Sequence, residues 1–281
     1  MTIENKNFSN ERALYNLTDS VVKNCTFSGE EDGESSLKEG RNITVDHCVF
    51  ALRYPMWHVN KFKFLNSKLE NTSRAGFWYC KNGLIENTNI QSVKALRECD
   101  NINIKNLTAK SEEFGWYCNN LNIKDSTVES EYIFDHSKNL TLSNFTLFGK
   151  YSFQYTKNLK ISDSVLNTKD AFWHTENSII ENTEILGEYC GWYSKNLTLI
   201  NCKIKGTQPF CYCENLNLIN CVMEDADLAF EYSSVKADIK GNIISVKNPK
   251  SGIISANSIG EIITSDSIMP CNCKIEIKKD A

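Results

Sequence analysis

The feature that most constrains this chain is a spacing of 19 residues that recurs between its tryptophans. Trp78, Trp116, Trp173 and Trp192 are separated in turn by 38, 57 and 19 residues, which are all multiples of 19. Further steps of 19 through the intervening chain reach Arg97-Glu98, Asp135-His136 and Gln154-Tyr155. A fixed period of this length is typical of a repeat architecture, in which each unit buries its apolar face against its neighbours.

Within each repeat the apolar residues indicate short β-strands. Counted from the first apolar residue of a repeat, positions 1 and 3 are apolar, as in Leu140-Thr-Leu142. Alternation with a period of two is a strand signal. Position 14 holds only apolar residues and glycine, including Phe134, Phe153 and Phe172. This position is therefore predicted to face the core.

Asparagine is nearly fixed at two further positions of the repeat, the last and the fifth. Asn101, Asn139 and Asn158 hold the last position, and Asn106 and Asn144 hold the fifth. Asparagine tolerates the left-handed backbone of tight turns, and stacked carboxamides can hydrogen-bond to those above and below them. Both positions are therefore predicted to be turns, with side chains that form buried ladders.

These patterns predict an all-β fold, a single-stranded right-handed parallel β-helix of about twelve 19-residue rungs. Right-handed coiling is the usual handedness of parallel crossover connections. The β-helix is predicted over residues 20–258, with an N-terminal cap at 1–19 and a C-terminal cap at 259–281, because open ends would expose unpaired strand edges. The acidic insertion Gly29–Gly33 is predicted to be a loop.

The segment Asn139-Leu-Thr-Leu-Ser-Asn-Phe-Thr-Leu147 resembles the coils of pectin-lyase-like β-helix proteins. The chain also resembles an uncharacterised bacterial family of such β-helices, with Phe-Trp and Asn in each coil, over about residues 20–258. The resemblance implies a superfamily of polysaccharide lyases, inverting glycoside hydrolases, esterases and non-catalytic proteins. The motifs of polygalacturonases are absent. The nearest segment, Asn182-Thr-Glu184, does not match any of them. The resemblance therefore assigns no catalytic residue of those enzymes to this chain.

The twelve cysteines follow the repeat, as in Cys80, Cys99 and Cys118. A buried free cysteine behaves as a small hydrophobic residue, so these thiols are predicted to form a reduced packing ladder. Stacked thiols could also hold a soft metal ion, but no His or Cys spacing matches a zinc motif. We therefore expect no metal and no cofactor.

Charge and hydropathy narrow the set of partners. The net charge is −4 and the sequence has no basic stripe, so nucleic acid is not expected as a partner. No stretch approaches the roughly 18 apolar residues of a membrane span. The N-terminus lacks the pattern of a signal peptide, so the expected location is the cytoplasm.

Positions 15 and 16 of the repeat mix large aromatic residues with charged and polar ones. If position 14 faces inward, strand alternation turns position 15 outward, and the Glu and His residues at position 16 favour a corner. Exposed tryptophans usually mark an interaction site. Aromatic rings interrupted by hydrogen-bonding groups suit an oligosaccharide, whose C–H faces are expected to stack on indole while its hydroxyls bond to polar side chains. The predicted ligand-binding residues are Arg97, Trp116, Tyr117, Gln154, Tyr155, Trp173, Trp192 and Tyr193. Two alternatives stay open: a homo-oligomer interface that uses the same column, and structural padding.

Catalysis at this column is an open question. The candidate acid–base residues are Glu98, Asp135, His136 and His174. Glu98 and Asp135 lie two rungs apart, roughly 10 Å by strand spacing, slightly beyond the roughly 6.5–9.5 Å of inverting glycosidases. Histidine titrates near neutral pH and is the commonest general acid or base. If the protein is an enzyme, the expected class is a polysaccharide lyase or glycoside hydrolase.

Overall fold

The computed structural model describes residues 1–29 and 34–278, and strands and turns account for all regular structure in these ranges. Most of the predicted loop Gly29–Gly33 lies outside the described residues. The chain forms two compact units, Met1–Thr141 and Leu142–Ala281. No helix that could cross a membrane occurs in the described ranges.

Sixteen strands lie within the first unit, and the next strand, β17 (Lys138–Lys150), includes its last residues. The sixteen are β1 (Thr2–Glu4), β2 (Asn7–Phe8), β3 (Thr18–Lys23), β4 (Thr26–Phe27), β5 (Arg41–Asp46), β6 (Val49–Phe50), β7 (Met56–Trp57), β8 (Asn60–Leu65), β9 (Lys68–Leu69), β10 (Ala75–Trp78), β11 (Lys81–Gln91), β12 (Lys94–Arg97), β13 (Asp100–Lys110), β14 (Glu113–Phe114), β15 (Asn119–Ser130) and β16 (Tyr132–Ile133).

Twelve strands lie wholly within the second unit. They are β18 (Lys157–Ser162), β19 (Val165–Lys169), β20 (Glu176–Glu181), β21 (Glu184–Leu186), β22 (Lys195–Ile200), β23 (Lys203–Lys205), β24 (Leu216–Glu224), β25 (Ser234–Lys240), β26 (Asn242–Lys247), β27 (Ser251–Ala256), β28 (Ser258–Ile263) and β29 (Asn272–Ile277).

In each unit the paired strands run parallel, and the register follows the repeat. In the first unit Ile85 pairs with Ile104, which pairs with Ile123. In the second unit Ile180 pairs with Leu199. Equivalent residues of successive turns therefore stack on one another, as the 19-residue spacing predicts. The fold is the predicted all-β, single-stranded parallel β-helix.

The structure has about 14 turns rather than the predicted twelve. The additional turns come from the terminal segments, which contain strands. At the N-terminus β1 pairs with β3 and β2 with β4. At the C-terminus β28 pairs with β26 and β29 with β27. The N-terminal turn keeps the 19-residue spacing, since Ile3 pairs with Val22 and Phe8 with Phe27. The C-terminal strands do not keep it, because Asn242 pairs with Ser258 and Ser251 with Asn272.

Position 14 faces the core in both units. Phe134 is fully buried and contacts Phe114 in the first unit, with ring centroids 5.6 Å apart. In the second unit Phe153 and Phe172 are fully buried and stack at 5.1 Å. Where glycine holds this position, as at Gly115, it leaves room for an aromatic ring: a Cβ there would lie 2.4 Å from the Phe134 ring. Small and large residues thus share one packed column.

The asparagines form hydrogen-bonded ladders at turns, but the ladders are exposed rather than buried. Asn82, Asn101 and Asn106 adopt φ values of 55°, 57° and 52°, the left-handed conformation. Asn101 donates from Nδ2 to Asn82 Oδ1 at 2.7 Å, and both residues are exposed. The prediction of buried ladders was wrong because the turn points its short polar side chain into solvent while its backbone N–H donates to a carbonyl of the next turn, as from Asn196 to Glu214 at 2.9 Å.

Candidate functional site

The aromatic positions of the repeat lie at a corner where position 16 has a positive φ in both units, as at Tyr117 and Tyr155. In the turn at Phe134, the phenylalanine has φ 60° and points inward, and His136 has φ 53°. The residue between them, Asp135, is half-buried, whereas His136 is exposed. Position 15 therefore lies on the outer surface beside the core, and position 16 forms the exposed corner. We call them the tryptophan column and the corner column.

Members of the tryptophan column cover each other's ring faces in the first unit. The Lys38 ammonium lies 4.4 Å from the Trp57 ring centroid, and Trp57 stacks on Trp78 at 5.4 Å. The Arg97 guanidinium lies 5.8 Å from the Trp78 ring and 5.5 Å from the Trp116 ring. Cation–π contacts of this kind each contribute about 0.5–1 kcal/mol at exposed sites. The faces of Trp57 and Trp78 are therefore occupied within the protein.

The same column forms an independent stack in the second unit. Trp173 and Trp192 are parallel, with centroids 5.3 Å apart and an interplanar angle of 5°. Their indole N–H groups also have partners: Trp173 Nε1 donates to the carbonyl of Tyr189 and Trp192 Nε1 to that of Gln208, both at 2.7 Å. Each indole thus bonds to the backbone of the next turn, 16 residues along the chain.

This reach of 16 residues recurs with other side chains of the tryptophan column. Trp116 donates to the Tyr132 carbonyl at 2.8 Å, and Arg97 Nη1 donates to the Glu113 carboxylate at 2.9 Å. The column therefore links successive turns. The sequence left a structural role open as padding but did not predict these hydrogen bonds. No pattern in the sequence reveals these hydrogen bonds, because four side chains of this column donate to backbone carbonyls, which every residue type carries.

Rings of the corner column also stack, but their outer edges remain in solvent. In the second unit Tyr155 stacks on His174 at 4.7 Å, His174 on Tyr193 at 5.0 Å, and Tyr193 on Tyr212 at 4.8 Å. Tyr155 and Tyr193 are 43% and 41% exposed. In the first unit Tyr117, 48% exposed, stacks on His136 at 5.3 Å. The second unit thus presents a row of stacked corner rings, and the first unit presents a stacked pair.

Register at the end of the column differs from the prediction. A step of 19 from Cys211 reaches Phe230 and so predicts Phe230 for the tryptophan column. Phe230 is instead fully buried and stacks on Phe210 at 6.0 Å. Tyr232 takes the corner instead, 5.8 Å from Tyr212. The eleventh repeat contains one additional residue before this turn, which moves each following side chain by one position.

Three of the four candidate acid–base residues, Glu98, Asp135 and His136, have polar side-chain partners. His136 Nδ1 lies 2.7 Å from Asp135 Oδ2. Glu98 accepts from Trp78 Nε1 at 3.4 Å and lies 3.7 Å from Arg97 Nε. An equivalent pair, His47 with Asp46 at 2.7 Å, lies at a different corner. A histidine paired with the preceding aspartate is therefore a recurrent feature of these corners and does not by itself identify a catalytic site.

His174 has a distinct electrostatic environment in the second unit. Partial burial between Tyr155 and Tyr193, and then the nearby Lys195 ammonium, lower the pKa of its imidazole. Gln154, in the same unit, is half-buried, with Nε2 3.5 Å from the Asp170 carbonyl. Six of the predicted site residues lie in the first unit (Arg97, Glu98, Trp116, Tyr117, Asp135, His136) and six in the second (Gln154, Tyr155, Trp173, His174, Trp192, Tyr193).

Cysteine side chains contribute no binding group to this corner. Cys80, Cys99 and Cys118 are buried behind it as a packing ladder, and burial raises the pKa of the Cys80 and Cys118 thiols. Within the described ranges, no three His, Cys, Asp or Glu side chains come together in an arrangement that could hold a metal ion.

Sequence comparison identifies the family. The profile of the family described as "Protein of unknown function (DUF3737)" matches residues 1–276. The chain belongs to this family. No curated protein sequence matches it. The uncharacterised bacterial family suggested by the aromatic and asparagine pattern is therefore confirmed as a family of unknown function.

Solved structures with a similar fold include three of differing roles. The mannuronan C-5 epimerase AlgE6 A-module of Azotobacter vinelandii is 11% identical, with 92% of this chain and 89% of that chain covered and a TM-score of 0.49. The endo-xylogalacturonan hydrolase from Aspergillus tubingensis is 11% identical, with coverage of 85% and 87% and a TM-score of 0.40. PfbA, a surface adhesin of Streptococcus pneumoniae, is 11% identical, with coverage of 77% and 71% and a TM-score of 0.39.

Proposed function

We propose that this protein binds an oligosaccharide through the exposed edges of the corner column. The observation that carries the proposal is the row of stacked rings formed by Tyr155, His174 and Tyr193. These residues lie on three consecutive turns, and the edges of their rings face solvent. Phenol hydroxyls and imidazole nitrogens both donate and accept hydrogen bonds. A ligand rich in hydroxyl groups can therefore pair with every turn of this row.

Regular spacing and rigidity support an extended, repeating ligand. Successive turns of a parallel β-helix lie about 4.8 Å apart, so equivalent polar atoms recur along the column. The ring stack fixes the side chains before binding, and rigid groups lose little conformational entropy when a ligand docks. A periodic polymer of hydroxylated units matches such an array better than a single small molecule.

The contact mode differs from the one expected from sequence. Sugar C–H groups were expected to stack on indole faces, but Trp173 and Trp192 cover each other and their N–H groups are bonded to the backbone. In the proposed mode, hydrogen bonds at the ring edges of Tyr155 and Tyr193 replace stacking on Trp173. Tyr117, Asp135 and His136 offer comparable groups in the first unit.

A glycan array with matched variants tests the proposal. Wild type is expected to bind a subset of glycans, and Tyr193→Ala is expected to weaken that binding by about tenfold, since a lost hydrogen bond and ring contact together amount to about 1–2 kcal/mol. The control is Phe148→Ala, because Phe148 is 48% exposed but lies outside the corner column. Binding that Tyr193→Ala leaves intact, or that Phe148→Ala also removes, would contradict the proposed site.

Processing of the bound glycan is measured in the same material. New reducing ends would indicate a hydrolase, and absorbance from unsaturated products would indicate a lyase. Loss of either signal in Asp135→Asn, with binding retained, would support a catalytic role for the Asp135–His136 pair. If wild type binds no glycan and a dimer forms that Tyr193→Ala dissociates, the column is instead an interface between copies of the chain.

A further inference from the structure

The last turn of the second unit leaves its core positions uncovered. Ile262 pairs in register with Val246, and Ile277 with Ala256. Val246 and Ala256 are fully buried because the next turn lies over them, whereas Ile262 is 50% exposed and Ile277 is 55% exposed. Within residues 34–278, these isoleucines therefore occupy inward positions of the repeat without a described turn above them.

This end of the unit also has free strand edges. Among the described residues, β28 pairs only with β26 and β29 only with β27. An unpaired parallel edge offers a row of backbone N–H and C=O groups to another chain. The connection between β28 and β29 adds Ile268, which is 87% exposed, and Met269. Exposed apolar side chains beside an open edge are typical of an interaction surface.

Side chains of β29 indicate which occupant fits this edge. Cys273, Ile275 and Ile277 follow the inward register, and Lys274 and Glu276 alternate with them on the outer face. When two copies of this strand pair antiparallel about Ile275, Lys274 of each copy lies opposite Glu276 of the other. Opposite charges directly across an antiparallel pair are stabilising. The strand is therefore complementary to itself.

We propose that this end of the second unit docks a second copy of the chain, with β29 pairing antiparallel to β29 about a two-fold axis. The pairing satisfies the free edges of both strands and covers Ile277 of each copy with apolar side chains of the other. A two-fold interface closes on itself and gives a dimer, whereas head-to-tail addition of turns gives an open filament. The self-complementary charges favour the closed form.

Charge-reversal variants test the pairing by sedimentation velocity over a range of protein concentrations. Wild type is expected to show a monomer–dimer equilibrium. Lys274→Glu and Glu276→Lys each place like charges opposite one another at two sites, and each is expected to weaken the dimer by about tenfold. The double variant Lys274→Glu/Glu276→Lys restores opposite charges and is expected to recover the dimer. Ile277→Asp removes apolar cover and is expected to abolish it.

A control for monomer stability is necessary because Lys274 Nζ and Glu276 Oε1 also pair within one chain, at 2.5 Å. Thermal unfolding at a concentration below the dimer range shows whether a single variant disturbs the fold itself. Wild type that is monomeric at every concentration would overturn the proposal. So would open-ended oligomers, a double variant that fails to recover the dimer, or a dimer that Tyr193→Ala dissociates. This inference does not depend on glycan binding.

Discussion

Residues at the tight turns of this chain have a strained left-handed backbone, and different side chains offset that strain in different ways. Asn101 has φ 57° and Tyr117 has φ 54°, a conformation that costs an ordinary L-residue roughly 1–2 kcal/mol. Asparagine reduces this cost because its short polar side chain bonds locally. Tyrosine has no polar group close to its backbone, and its stacking, about 0.5–1.5 kcal/mol per pair, offsets the strain. Ring stacking is thus what allows aromatic residues at this corner.

The strain predicts how an asparagine of the ladder responds to substitution. Asn139 has φ 57°, is exposed, and donates to Asn119 Oδ1 at 2.8 Å. Asn139→Ala is expected to lower the free energy of unfolding by about 1 kcal/mol through backbone strain. Asn139→Gly relieves that strain, and should lose less in the same urea titration. Equal losses in both variants would show that the side-chain hydrogen bond, not the backbone, is responsible.

The lowered pKa of His174 predicts a pH dependence of stability. A lowered folded-state pKa means that the unfolded chain binds a proton more readily, so stability is lost as the pH falls through about 6.5, the ordinary histidine pKa. We expect the unfolding temperature to fall between pH 7.5 and 5.5 by more in wild type than in His174→Tyr, which places at this turn the residue of its neighbours Tyr155 and Tyr193. Identical pH profiles would contradict this.

At the scale of strands and turns, the tryptophan column joins neighbouring turns through side-chain-to-backbone bonds. Trp173 and Trp192 both stack on each other and donate to carbonyls of the following turns. A turn of a β-helix contacts only its neighbours, so such links add to the backbone pairing of each interface. They explain why large aromatic side chains recur here without forming the dry core.

Replacement of an indole by a phenyl ring, which removes the N–H together with one of the two rings, tests this link. Trp173→Phe retains an aromatic ring beside Trp192 but leaves the Tyr189 carbonyl without its donor. We expect a loss of about 1 kcal/mol in the free energy of unfolding, measured from the shift in urea midpoint at constant slope. The same substitution at Trp78 is the control, because its Nε1 bonds weakly to the Glu98 side chain at 3.4 Å; it should cost less.

At the scale of the whole molecule, the cysteines divide into two groups by burial. Ten are buried, and Cys271 and Cys273 are partly exposed. Burial raises the pKa of Cys48 and Cys273 to about 11, and a thiol reacts through its thiolate. Buried thiols packed along the repeat should therefore react only when the turns that cover them open.

Alkylation followed by mass spectrometry measures both reactivity and oxidation state. In native protein, Cys271 is expected to react fastest, and the ten buried thiols should stay unmodified until denaturant is added. In denaturant without reductant, all twelve cysteines should be alkylated, because the ladder is predicted to be reduced. Two or more protected pairs would show disulfides and place the protein in an oxidising environment.

The sequence by itself determined the period, the inward position of Phe134, Phe153 and Phe172, and the turns at Asn101 and Asn106. These follow from local rules, since strand alternation and left-handed turns are fixed within a few residues and stacking repeats them. The residues of the candidate corner could be selected in the same way, because a repeat aligns equivalent side chains whatever their chemistry.

Only the tertiary structure decided how those aligned side chains are used. It showed that the ladder of Asn82 and Asn101 is exposed, and that the indole of Trp173 faces Trp192 and bonds to a carbonyl of the next turn. It also showed Ile262 and Ile277 uncovered. Each of these depends on what a neighbouring turn places against a side chain. A 19-residue period predicts which residues are neighbours, but it does not predict which faces of their side chains remain exposed to solvent.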